Sequence, residues 1–171
     1  ALKNVNLTIP KGEIYGLVGE NGAGKTTLIR LLTGLNFKSE GEIILFGHKD
    51  NLQHERSKIG CTIEMPALYK DMTASQNLEV QRIQRGIPNK KCITDTLELI
   101  GLSNAGKKRV ANFSLGMKQR LALGVALLGE PEFLILDEPV NGLDPTGIIE
   151  LRELLKKLVK EREVTILISS H

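Results

Sequence analysis

The sequence predicts an α/β fold with a mostly parallel sheet, and three observations support this prediction. Short apolar runs typical of buried strands alternate with segments in which apolar residues recur at helical spacing. Strands separated by helices form parallel βαβ units. A glycine-rich turn joins an early strand to the first helix. The composition of the 171 residues, 41% hydrophobic and 25% charged, is that of a globular domain and excludes disorder.

The N-terminal third is predicted to contain strands around one helix. Residues in Thr26–Leu32 form an apolar helical face, and Gly34 follows where a helix would stop. A turn is expected at Pro10 to Gly12. The strand-like segments are Leu2–Ile9, Ile14–Val18, Glu42–Phe46 and Lys58–Ile63.

Residues 66–112 differ from their surroundings, because they contain helical signals and no β-rich run. Thr73 to Gln76 fits a capping box at the start of a helix. Pro88 and Asn89 introduce a second helix that ends at Gly101. We therefore expect a helical insertion at 66–112 between two parts of an α/β core, 1–65 and 113–171.

The α/β pattern returns after the insertion. Ser114–Leu128 is predicted to be a helix, and Phe133–Leu136 is a continuous apolar run typical of a buried parallel strand. A second helix is expected from Asp144, and Val164–Ile168 is expected to be the last strand.

The glycine-rich turn carries the strongest chemical motif of the chain. Residues 19–26 read GENGAGKT and match the pattern G-x-x-x-x-G-K-[ST]. Glycines let successive backbone N–H groups point inward and bind phosphate at a helix N-terminus. A lysine adds positive charge for the β- and γ-phosphates, and a hydroxyl can ligate Mg²⁺. The predicted nucleotide-binding residues are Gly19, Glu20, Asn21, Gly22, Ala23, Gly24, Lys25, Thr26 and Thr27.

Two adjacent carboxylates follow the strand Phe133–Leu136. Ligands of open α/β sheets bind at the carboxyl ends of the strands, so Asp137 and Glu138 are expected at the nucleotide. Asp137 suits Mg²⁺ together with Thr26, and Glu138 suits a general base acting on the attacking water. The base-reading motif of GTPases, Asn-Lys-x-Asp, is absent.

At this point the sequence resembles the ATP-binding cassette (ABC) ATPases. Residues 114–120, SLGMKQR, resemble the family's LSGGQ-type signature, and residues 141–145, NGLDP, resemble its D-loop. His171, at the end of ILISSH, resembles the switch histidine that contacts the γ-phosphate. The resemblance implies a P-loop core with a mostly parallel sheet, an antiparallel N-terminal β part and an inserted helical subdomain. It also implies ATP and Mg²⁺ as ligands.

The resemblance further implies a dimer in which two ATPase domains meet head to tail. In the family, the signature of one subunit contacts the γ-phosphate held by the other, which assigns that role to Ser114, Leu115 and Gly116. Asp144 would lie at the dimer seam. From their chemistry alone, Ser114 and Asp144 also suit helix N-caps, and for Asp144 a cap alone is an equal alternative.

Two departures from the family pattern are informative. Glu64 stands where the family has glutamine, so its carboxylate would approach Mg²⁺ or the attacking water as an acceptor without the amide donor. Leu115 replaces the first glycine of the signature. Together these features resemble the bacitracin-resistance and lantibiotic-immunity branch of ABC exporters.

The expected function is therefore the ATP-hydrolysing subunit of an exporter of peptide antibiotics or similar amphipathic compounds. A separate transmembrane permease would dock on Glu64–Met72, and the protein would lie in the cytoplasm on the inner face of the membrane. The alternative is a soluble ABC ATPase acting on ribosomes or DNA. A net charge of +3 and 4% aromatic residues give no sign of nucleic-acid binding. Both ends resemble cuts within a longer domain.

Overall fold

The computed structural model describes residues 2–63 and 68–171. Within them, four strands form one sheet in which all neighbours are parallel and the order is β1-β4-β3-β2. Leu136 pairs with Ile168, and Val18 pairs with Ser170. Because the strands are parallel, their carboxyl ends meet at one edge of the sheet. The strands are β1 Ile14–Val18, β2 Ile59–Thr62, β3 Phe133–Leu136 and β4 Thr165–Ser170.

Side chains of Thr73, Ser114 and Asp144 cap the starts of α3, α5 and α6. Gly34 ends α1 in the left-handed conformation, with φ of 82°. Thr73 and Gln76 form the predicted capping box at the start of α3. The helices are α1 Lys25–Thr33, α2 Leu52–Arg56, α3 Ala74–Gln84, α4 Lys91–Leu99, α5 Leu115–Leu127 and α6 Pro145–Arg162, with short 3₁₀ turns at Ser103–Ala105 and Val110–Asn112.

The apolar core lies on both faces of the sheet. On one face, Ile135 and Leu167 pack with Ile29 of α1. On the other face, Leu134 and Ile166 pack with side chains of α3 to α6. Every residue of β3 is buried, which explains its uninterrupted apolar sequence.

The helices of the predicted insertion share the second of these core clusters. Leu78 of α3 and Ile93 of α4 pack with Leu121 of α5, and all three belong to the cluster that covers Leu134. Gly124 permits this close packing, because a Cβ there would lie 2.6 Å from the Ile100 Cδ1 atom. The signature helix α5 therefore connects the helical segment to the sheet. The division into a core and an insertion at 66–112 stays a prediction.

Two predicted strands are wrong. Leu2–Ile9 and Glu42–Phe46 form no strand in the described part of the chain, apart from an isolated antiparallel bridge between Leu45 and His48. Alternating apolar residues favour extended backbone, but a strand also requires a neighbouring strand to bond along its length, and neither segment has one among the described residues. Conversely, the sequence reading missed α2, whose five residues are too short for a periodic signal.

Candidate functional site

The phosphate loop joins β1 to α1 and curls around its own lysine. The Lys25 ammonium donates to the Gly19 carbonyl at 2.6 Å and to the Glu20 carbonyl at 3.2 Å, and the residue is 9% exposed. Gly24 precedes α1 with φ of 99°, a conformation that favours glycine. No side chain caps the start of α1. The free N–H groups and the positive end of the helix dipole therefore suit an anion.

Asp137 is held between two hydroxyl groups at the carboxyl edge of the sheet. The Thr26 hydroxyl donates to Asp137 Oδ2 at 2.9 Å, and the Ser169 hydroxyl donates to Asp137 Oδ1 at 2.5 Å. Asp137 is 8% exposed, and its backbone N–H continues the sheet by bonding the Thr62 carbonyl. The structure thus places the predicted metal ligands, Thr26 and Asp137, in direct contact.

Glu138 lies between the loop lysine and the C-terminal histidine. Its Oε1 atom is 3.5 Å from the Lys25 ammonium nitrogen, and its Oε2 atom is 2.5 Å from His171 Nδ1. Its backbone is left-handed, with φ of 50°, which is uncommon for a glutamate. Asn141 donates to the same Oε2 atom at 3.2 Å. Two predicted catalytic side chains, Glu138 and His171, are therefore in direct contact.

The oxygen atoms at this edge fit a magnesium ion. Hydroxyl and carboxylate oxygens are ligands that Mg²⁺ prefers, and Mg²⁺ in nucleotide sites keeps several waters and binds the phosphates. In residues 2–63 and 68–171, no group of three or more His, Cys, Asp and Glu residues could hold a metal. Within the described residues, the oxygens that this edge offers to such an ion are the Thr26 hydroxyl and the Asp137 carboxylate.

The two cysteines take no part in this site. Cys61 and Cys92 are free thiols, and burial raises the pKa of each. A raised pKa keeps a thiol protonated at neutral pH and makes it a poor nucleophile and metal ligand.

The predicted signature and D-loop residues lie along a groove beside the carboxylates. Ser114 accepts from the Met117 N–H at 3.2 Å and caps α5, while Asp144 accepts from the Gly147 N–H at 3.2 Å and caps α6. Both predictions of helix N-caps are thus confirmed. The groove has a volume of about 1300 Å³ and is lined by Ser114, Leu115, Gly116, Asp137, Glu138 and Asp144, among others.

Leu115 contacts the D-loop of its own chain. Its side chain is 41% exposed, and a Cβ added to Gly142 would lie 2.6 Å from Leu115 Cδ2. Gln119 adds a second link, because its amide donates to the Asn141 carbonyl at 2.5 Å. An ion pair between Arg120 and Glu150 also joins α5 to α6. The predicted signature helix α5 therefore contacts the predicted D-loop directly.

The sequence did not predict two residues that contact the site. Ser169 bonds Asp137 and Gln119 bonds Asn141, and both partners are distant in sequence. The remaining predicted residues, Glu20, Asn21, Gly22, Ala23 and Thr27, lie in the phosphate loop and the first turn of α1. Glu64 lies outside the described residues.

A phosphate loop at a helix N-terminus, with two carboxylates at the adjoining strand end, defines a nucleoside-triphosphate-binding α/β domain. A family described as "ABC transporter" matches residues 2–141, so the chain belongs to the ABC transporter family. The predicted family and the α/β fold with a parallel sheet are confirmed, whereas the antiparallel N-terminal β part is reduced, in the described residues, to the bridge between Leu45 and His48.

Two curated relatives match nearly the whole chain. The bacitracin transport ATP-binding protein BcrA of Enterococcus faecalis is 46% identical over 99% of this chain, which covers 56% of that protein. The lantibiotic transport ATP-binding protein SrtF of Streptococcus pyogenes is 48% identical over 99% of this chain, which covers 73% of that protein. The chain therefore spans little more than half the length of the BcrA protein. These relatives confirm the predicted branch of the family.

A solved ATP-binding cassette has the same fold. This dimeric structure of a post-hydrolysis state, bound to ADP and Pi, superposes with a TM-score of 0.87 at 29% identity. The match covers 99% of this chain and 79% of the solved one.

The search for membrane spans adds one observation. Among the described helices, none combines the length and the apolar character that crossing a bilayer requires.

Proposed function

We propose that this chain is the ATP-binding and ATP-hydrolysing part of an ABC transporter that exports peptide antibiotics. One observation carries the proposal of hydrolysis: Thr26 bonds Asp137 at the carboxyl edge of the sheet, and beside this pair Glu138 contacts both Lys25 and His171. The transported class is supported by relatives that are named for bacitracin and lantibiotic transport.

ATP would bind with its phosphates at the start of α1. The backbone N–H groups of the first turn of α1 would donate to the phosphate oxygens, and the Lys25 ammonium would exchange its loop carbonyls for the β- and γ-phosphates. Thr26 and Asp137 would hold Mg²⁺, which when bound neutralises charge on the phosphate oxygens. Glu64 is proposed to approach Mg²⁺ or the attacking water with its carboxylate.

Hydrolysis would use Glu138 as the general base. Water attacks the γ-phosphorus, its proton passes to the Glu138 carboxylate, and the bond to the β-phosphate oxygen breaks to release ADP. His171 is in contact with Glu138 and would donate to the γ-phosphate. The Lys25 ammonium pairs with the other carboxylate oxygen of Glu138. Lys25 and His171, the two neighbours of the proposed base, are therefore also candidate phosphate ligands.

The complete site would need a second ATPase domain, either a copy of this chain or a related one. Ser114, Leu115 and Gly116 at the start of α5 would face the γ-phosphate held by the partner domain, and Asp144 would lie at the seam. These side chains line an open groove, and the solved neighbour is a dimer. The side chains of Ser114 and Asp144 cap their own helices, and the N-terminus of α5 suits an anion.

The permease is proposed to dock on the segment Glu64–Met72 and to place the domain on the cytoplasmic face of the membrane. Tyr69 is 40% exposed at the described end of this segment. Asn77, which is 2% exposed, accepts from the Tyr69 N–H at 2.8 Å and donates to the Tyr69 carbonyl at 3.0 Å. The buried Asn77 amide therefore fixes the backbone at Tyr69, and Tyr69 remains exposed to a partner.

The test is ATP hydrolysis by the full-length protein, with and without its membrane partner. We expect Mg²⁺-dependent phosphate release, stimulation by the permease, and increased resistance of cells to bacitracin or a lantibiotic. Glu138→Gln should abolish the resistance, whereas the surface variant Glu153→Gln should leave it intact. Phosphate release without any change in resistance would contradict the transported class, and no ATP binding would contradict the proposal as a whole.

A further inference from the structure

Ser169 is a fully buried hydroxyl that touches both carboxylate residues of the candidate site. It is 0% exposed, it donates to Asp137 Oδ1 at 2.5 Å, and it accepts from the backbone N–H of Glu138 at 2.8 Å. We propose that Ser169 is a positioning residue that orients Asp137 toward Mg²⁺ and Glu138 toward the attacking water. This inference rests on the proposed function.

The sheet register explains how this serine reaches the carboxylates. Leu136 at the end of β3 pairs with Ile168 of β4, so Asp137 and Ser169 are the next residues on neighbouring strands. Side chains alternate along a strand, which places Ser169 on the same face as Leu167. That face is covered by α1, the helix that carries Thr26.

The first bond completes the support of Asp137. The Thr26 hydroxyl occupies one carboxylate oxygen and the Ser169 hydroxyl occupies the other, so the carboxylate plane is fixed from two elements. When the Thr26 hydroxyl also ligates the metal, the Ser169 hydroxyl still donates to Asp137 and holds its carboxylate in place. Partners behind a metal ligand in this way orient it and tune its affinity.

The second bond supports an unfavourable backbone. A glutamate with φ of 50° is uncommon, and such positions persist only where surrounding contacts hold them. The Glu138 N–H is bonded to Ser169 at this turn, and the turn directs the Glu138 side chain between Lys25 and His171. Ser169 thus fixes the backbone from which the proposed base projects.

The decisive variant is Ser169→Ala in the full-length protein, with Mg²⁺-dependent nucleotide binding as the first measurement. Affinity for ATP measured by calorimetry should fall about tenfold with Mg²⁺ present and stay unchanged in EDTA, because outer partners of metal ligands contribute about 10- to 100-fold. The kcat for phosphate release should fall by about the same factor, since Glu138 also loses its support. Ser169→Thr keeps the hydroxyl and should restore both.

Thr165→Val is the matched control on the same strand. Thr165 is also buried and its hydroxyl also accepts a backbone N–H, that of Gly12 at 2.9 Å, but it lies at the opposite end of β4. This variant should lower stability as Ser169→Ala does and leave Mg²⁺ dependence and kcat unchanged. If Ser169→Ala does not fold, Ser169→Cys keeps nearly the same volume, weakens both bonds and should change the two readouts in the same direction.

Equal Mg²⁺ dependence and kcat in the Ser169 variants and in Thr165→Val would overturn the inference and leave the proposed function standing. A parent protein that neither binds nor hydrolyses ATP would instead overturn the proposed function, and this inference with it.

Discussion

The carboxyl edge of the sheet and the amino ends of α5 and α6 adjoin the same groove, but different contacts hold them. At the sheet edge, Thr26 bonds Asp137 and Lys25 pairs with Glu138, so these contacts join α1 to the residues that follow β3. At the helix ends, the side chains of Ser114 and Asp144 accept hydrogen bonds from the first turns of their own helices. The difference supports the proposal that one chain forms the phosphate-binding half of the site and that the predicted signature half contacts another domain.

The largest expected effect tests the sheet edge as a catalytic unit. Glu138→Gln keeps the size of the side chain but cannot take a proton, so phosphate release should fall about 1000-fold, within the range for a general base. ATP binding should persist, and light scattering should detect an ATP-trapped dimer. Glu153→Gln, on the exposed face of α6, should behave as the parent. Unchanged turnover would remove Glu138 from its proposed role.

The next largest effect concerns phosphate binding. Lys25→Ala removes a buried ammonium, and hydrogen bonds of charged groups contribute about 1.5–3 kcal/mol each, so ATP affinity should fall about 100-fold. Fluorescent-nucleotide titration measures the change. Lys38→Ala is the control, because Lys38 also bonds a loop carbonyl, that of Gly41 at 2.7 Å, but is exposed. An equal loss of affinity in the two variants would refute specific binding at Lys25.

A smaller effect separates capping from contact with a partner domain. Ser114→Ala and Thr73→Ala each remove a helix N-cap, and each should lower the free energy of unfolding by about 1 kcal/mol. Only Ser114→Ala should weaken the ATP-bound dimer, about tenfold, because only Ser114 is proposed to bond the partner's phosphate. Dimer dissociation is measured by analytical ultracentrifugation in a Glu138→Gln background. Equal dimer affinity in both variants would mean that Ser114 acts as a helix N-cap and does not contact the partner's phosphate.

The same comparison explains what the sequence could predict. The phosphate loop is one contiguous segment, and β3 with its two carboxylates is another. Local pattern in the sequence therefore indicated their residues and chemistry. The bond between Ser169 and Asp137 joins residues 32 positions apart, and no periodicity marks it. Leu2–Ile9 has the alternation of a strand, but among the described residues it has no hydrogen-bonded neighbouring strand, which local pattern cannot supply.

The smallest expected effect probes the link between the signature and the D-loop. Gly142 and Gly12 have nearly equal φ, 72° and 74°, but only a Cβ at Gly142 would meet another side chain, that of Leu115 at 2.6 Å. Alanine at either position should therefore cost about 1 kcal/mol of stability through backbone strain. Gly142→Ala should also displace Leu115 and weaken the ATP-bound dimer a few-fold.

A double-mutant cycle isolates this contact from the strain. Leu115→Ala removes the side chain that a Cβ at Gly142 would meet, so its effect on the dimer should not add to that of Gly142→Ala, and the coupling should be about 0.5 kcal/mol or more. With Gly12→Ala, the effects of Leu115→Ala should simply add. Additivity in both cycles would mean that Leu115 and the D-loop act independently, and would leave the caps, the Gln119 bond and the Arg120–Glu150 ion pair to align the signature half.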